Sequence, residues 1–211
     1  MAIALNILLI TGRVLLYSPL WSQHGALTYV LEPLVLLLVY AAIAVWVTAD
    51  MSSDRRRGLL QGNVLGLLTG AMWIVNLALE TFANLSPVGP AATAPFLLGG
   101  FVLWGVAGFR AARSTGSMSA GILAAIWSAI ICVLMTITFG LLLTYTSLPR
   151  LEHDLVTDPD FLRSHWHDVR AFAIANSFDS AFSHLLGGLI VGTVFGAAGG
   201  FLGLRPRLTP S

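Results

Sequence analysis

Five stretches of this chain are dominated by apolar residues: Thr28 to Thr48, Leu59 to Leu79, Ala91 to Phe109, Met118 to Tyr145 and Phe182 to Leu204, parted by short polar turns. Each is comparable to the roughly 20 residues that an α-helix needs to cross the hydrocarbon of a bilayer. The pattern predicts an all-α fold, a polytopic transmembrane helix bundle with five spans. No internal repeat or linker marks a boundary, so residues 1–211 read as a single integral membrane helical domain.

The first twenty residues predict a sixth span. Ala2 to Ile10 is apolar, Thr11, Gly12 and Arg13 interrupt it, and Asn6, Arg13 and Tyr17 share one helical face. That face also suits an amphipathic helix lying in the interface. A hairpin turning near Trp21 and Ser22 would set Arg13 and Glu32 at one depth, where a structural ion pair makes both charges tolerable. The basic residue follows the apolar stretch instead of preceding it, which argues against a cleaved signal peptide.

Between the fourth and fifth spans, Ser147 to Arg170 carries five acids and three arginines. Asp158, Pro159 and Asp160 form a helix start, with an N-cap, a proline in the first turn and an acid favoured by the dipole. Leu162, Trp166, Val169 and Ala173 then recur at helical spacing, which predicts an amphipathic outer-surface helix leading into the last span. On such a helix His165 and His167 point about 200° apart, so they do not make a chelating pair.

Composition agrees with the pattern. Hydrophobic residues make up 56% of the chain and charged residues 10%, against about 25% charged in a soluble domain. Every basic side chain is arginine, which excludes a lysine Schiff base. A lone Cys132 cannot form an internal disulfide. Arginines cluster after the first, third and fifth spans, at Arg55 to Arg57, at Arg110 and Arg113, and at Arg205 and Arg207. The positive-inside rule puts those turns and the C-terminus in the cytoplasm, as expected of a bacterial cytoplasmic membrane.

Small residues recur every fourth position on the last span, at Ser180, Gly188, Gly192, Gly196 and Gly200, with His184 in the same row. In hydrocarbon such a row lets two backbones approach closely. The fourth span carries Ala124, Ser128, Cys132, Thr136, Gly140 and Thr144 at the same interval, so these two rows are expected to pack on each other within one chain. The competing use of the groove is between copies or against another membrane protein. The lipid bilayer is the expected surrounding, and nothing suggests nucleic acid.

Polar groups gather towards the side opposite the arginine-rich turns. Glu32, Asn76, Glu80, Asp179, Ser180 and His184 are the candidate ligand-binding residues, because polar groups at membrane depth are costly and usually line a cavity. They predict a transport-type protein with an outward-facing vestibule. The alternative is a non-catalytic accessory subunit docked through its glycine-striped helix. A third reading makes it a metal- or tetrapyrrole-binding membrane enzyme: no cofactor is predicted, but His184 between Ser180 and Gly188 leaves room for a flat macrocycle or a metal. No catalytic residues are assigned, since zincin, nucleophile-elbow, phosphate-loop and dinucleotide motifs are all missing.

Overall fold

The computed structural model describes residues 1–49, 53–82 and 89–205, and every regular element among them is helical. The helices are α1 (Ala2–Leu16), α2 (Ala26–Ala49), α3 (Ser53–Phe82), α4 (Gly89–Thr115), α5 (Met118–Thr146), α6 (Leu148–Leu155), α7 (Pro159–Arg163) and α8 (Val169–Leu204). Five are long and apolar enough to cross a membrane: α2, α3, α4, α5 and α8. The protein is therefore a membrane-spanning helical bundle. At 15 residues, α1 falls short of a full crossing. The expected turn at Ser86 and Pro87, and Arg207, lie outside the described residues.

Two boundaries differ from the sequence pattern. The last helix starts at Val169 instead of Phe182, and residues 158–173 do not form one amphipathic helix. After α7 the chain turns through 164–168, with His165 at φ 59°. Side chains compete with the helix here. Ser164 Oγ donates to the Phe161 carbonyl (2.7 Å) and accepts from the Trp166 amide (3.2 Å), the local bonding by which serine ends helices. His165 and His167 thus sit in a turn and not on a helix face.

The chain packs as two compact units, Met1–Val45 with Ile137–Leu186, and Trp46–Thr136 with Gly187–Ser211. In the first, Ile10, Leu20, Leu37, Ile174, Phe178 and Leu185 are fully buried. Tyr40 is buried with them because its hydroxyl donates to the Leu185 carbonyl at 2.8 Å, which removes the cost of an unsatisfied phenol. In the same unit Trp166 meets both Tyr29 and Phe172 edge to face, with ring centroids 5.8 Å apart in the two pairs.

In the second unit, backbones touch. A methyl group added at Gly62 would lie 2.7 Å from the Ala124 carbonyl oxygen, one at Gly66 2.7 Å from that of Ser128, and one at Gly70 3.3 Å from Cys132 Cα. On the other side of α5, additions at Gly192 and Gly196 would come within 2.8 Å of the Ala129 and Ala125 methyls. Helix α8 also presses on α4, where Gly199 lies over the Gly105 carbonyl and Gly203 over that of Phe109. Trp73, Phe101, Trp104 and Phe195 fill the remaining space, with Phe101 stacked on Phe195 at 5.6 Å.

This arrangement redistributes the expected helix pairing. α5 and α8 do meet within the chain, but α5 offers α8 its Ile122, Ala125 and Ala129, and turns Ala124, Ser128 and Cys132 towards α3. α5 has two small faces, one position apart in sequence, and α3 brings its own row of Gly58, Gly62, Gly66 and Gly70 to one of them.

Glycine replacements should separate contact from helix propensity. Gly199→Ala should lower stability to denaturant in detergent micelles by about 1–3 kcal/mol, the usual cost of overpacking. Gly187→Ala, where an added methyl would meet nothing within 4 Å, should leave stability unchanged or raise it by about 0.5–1 kcal/mol.

Candidate functional site

The polar groups of the first unit begin on α1. Asn6 is fully buried and exchanges two hydrogen bonds with Thr138: its amide donates to Oγ1 (2.9 Å) and accepts from it (3.2 Å). Two turns on, Arg13 donates through Nη2 to the Thr144 carbonyl at 3.2 Å and lies 4.9 Å from the Tyr145 ring centroid. Among the described residues it makes no ion pair with Glu32, contrary to the expected pairing. The reason is the end of α5. The last carbonyls of a helix lack amide partners and carry the negative pole of its dipole, so a guanidinium is held there without a carboxylate.

Tyr17 ends the same face. Its hydroxyl donates to Asp168 Oδ2 at 2.7 Å. The other oxygen of that carboxylate accepts from the amides of Arg170 (2.9 Å) and Ala171 (3.0 Å). Asp168 is therefore the N-cap of α8 and at the same time the anchor for the end of α1. Arg170 pairs with Glu152 of α6 and lies 5.8 Å from the Tyr17 ring centroid. Burial first, and the Asp168 carboxylate second, push the Tyr17 phenol up to about 12. Reading for caps found Asp158, whose Oδ1 does accept from the Asp160 amide at 2.7 Å. Asp168 escaped that reading, although an aspartate directly before the Val169–Ala173 helical spacing carries the same capping signal.

The six candidate ligand-binding residues do not lie in one unit. Glu32, Asp179, Ser180 and His184 belong to the first, and Asn76 and Glu80 to the second. Glu32 and Asp179 are half-buried, whereas Ser180 and His184 are exposed. His184 Nδ1 lies 2.7 Å from the Ser180 carbonyl of its own helix, so one face of the imidazole is committed to α8. On α3 Asn76 Nδ2 donates to the exposed Glu80 at 3.0 Å, a pairing one turn apart. No group of three histidine, cysteine or acidic side chains among the described residues is close enough to hold a metal ion.

Along the first unit's part of α8, Asn176, Ser180, Ser183 and His184 are all exposed, while Ala173, Ile174, Phe178, Ala181 and Leu185 are buried. The fully buried side chains of this stretch are apolar, and its exposed side carries these polar groups together with Leu186.

Compared with protein-family models, curated proteins and solved structures, the chain matches none.

The Asp168 link is testable by substitution and by pH. Asp168→Ala should cost about 1–2 kcal/mol of stability, the usual loss of a cap, and Asp168→Asn appreciably less because asparagine still caps. Because the folded value of Tyr17 lies above the ordinary 10.0, its contribution is whole below that pH and is lost as pH climbs through about 12. A near-ultraviolet titration should show late tyrosinate absorbance whose amplitude falls in Tyr17→Phe.

Proposed function

We propose that the protein is a non-catalytic subunit of a membrane assembly, docking through the exposed polar face of α8. The observation that carries this reading is the row of Asn176, Ser180, Ser183 and His184 on the outside of a helix whose other face is sealed in apolar packing. At 36 residues α8 exceeds the roughly 20 that a crossing needs, and the row sits on its first half, where a partner helix would bond to these groups as asparagine, serine and histidine do between packed helices.

The tight packing of the second unit supports this reading against a transporter. A moving pair of helices needs side chains that can slide or re-pack. Here the surfaces meet at backbone atoms, with Gly66 against the Ser128 carbonyl and Gly199 against that of Gly105. Such interfaces are bistable at best and do not deform continuously.

Solubilised gently from native membranes, the protein should migrate in a complex larger than its 22.5 kDa chain, and the complex should dissociate when Ser180 and Ser183 are both replaced by leucine. Purified into liposomes, it should pass no ion or small solute. Flux that falls with Glu80→Ala or His184→Ala would replace this reading with transport.

A further inference from the structure

We infer that Arg13 holds the phosphate of an anionic phospholipid at the membrane boundary where α1 and α5 end, a site independent of the α8 face. Arg13 stands in the last turn of α1, and its hydrogen-bond partner, the Thr144 carbonyl, lies in the last turn of α5. The chain passes there into α6 with its Arg150, Glu152 and His153, so this end of the first unit lies at the level where a bilayer carries its headgroups. The guanidinium is short of negative charge. Its Nε is buried without a hydrogen-bond partner, and no carboxylate among the described residues forms an ion pair with it. The end of α5 contributes roughly half an elementary charge, enough to seat the group but not to neutralise it.

The acids of this corner are committed elsewhere, Glu152 to Arg170, and Asp168 to the Tyr17 hydroxyl and two amides of α8. Arg13 is half-buried, so the packing that hides Nε leaves its Nη end within reach of the surroundings. Water can satisfy those donors but leaves the charge in place. A phosphodiester does both, because its paired oxygens match the fork of a guanidinium. The neighbouring surface makes a lipid the source of that phosphate. Leu16, about 60° round α1 from Arg13, is 73% exposed, and Leu15 is 82% exposed. Acyl chains on these leucines and the phosphate on Arg13 are two contacts of one molecule. A headgroup with net negative charge fits better than a zwitterion, whose ammonium would enter a corner where Arg170 already lies 5.8 Å from the Tyr17 ring centroid and repels Arg13.

The test uses the full chain, delipidated in a neutral detergent and titrated with dioleoylphosphatidylglycerol, dioleoylphosphatidylcholine or inorganic phosphate while its thermal unfolding is followed. The anionic lipid should raise the unfolding temperature and saturate at a single lipid per chain, seen directly by native mass spectrometry. The zwitterionic lipid should need about tenfold more for the same shift, and inorganic phosphate should give none. Arg13→Gln should erase the difference between the two lipids. Arg163→Gln, which removes a charge from a side chain 75% exposed on α7, should preserve it. Equal response of the unaltered chain to the two lipids overturns the inference, and does so even where Arg13→Gln fails to fold. A shift with inorganic phosphate equal to that with the anionic lipid overturns the lipid as source. A folded Arg13→Gln chain that still prefers the anionic lipid overturns Arg13 as the holder.

Discussion

Direct contact between backbones is the constraint on which the second unit depends. Where Gly62 and Gly66 of α3 meet α5, and Gly199 and Gly203 of α8 meet α4, the nearest atom to an added methyl is a carbonyl oxygen, while at Gly70 the Met135 sulfur comes first and Cys132 Cα next. Lipid competes for apolar side chains on equal terms, so in a membrane the gain from association comes from closeness and from weak polar contacts that only closeness allows. α5 is the helix that benefits most. More than half of its most apolar window, 56%, is buried, against 28% for α2, α3 and α4 and 33% for α8, so it is the most enclosed of the five spans.

The first unit solves a different problem. It must bring Asn6, Arg13 and Tyr17 of α1 into an apolar setting, and each is given a partner fixed by the ends and flanks of other helices. Asn6 takes a threonine hydroxyl, Arg13 an end carbonyl of α5, and Tyr17 the carboxylate that caps α8. None of these bonds is a conventional salt bridge. Helix termini supply the complementary charge, which is why a lone arginine on a short apolar helix is tolerated so close to the bilayer.

Much of the fold was legible because hydrophobic run length is a strong signal: the five spans follow from it. What escaped the sequence was choice among equivalents. α5 has small residues on two adjacent faces, and one-dimensional spacing does not say which of them turns to α8; the matching row from Gly58 to Gly70 on α3 was the missing clue. Arg13 and Glu32 looked matched in depth, but depth does not carry direction, and an orphan carbonyl outcompeted a carboxylate. The polar residues of α8 were visible as a row. Only coordinates show that Ser180 and His184 face outward while Asp179 turns partly in.

The bonds that hold α1 join residues very far apart along the chain: 132 positions for Asn6 to Thr138, 131 for Arg13 to Thr144 and 151 for Tyr17 to Asp168. During synthesis the first helix therefore leaves the ribosome long before any of its partners exists. Its three bonds can form only once the chain has been made as far as Asp168, so α1 is locked in place after the helices between have been synthesised.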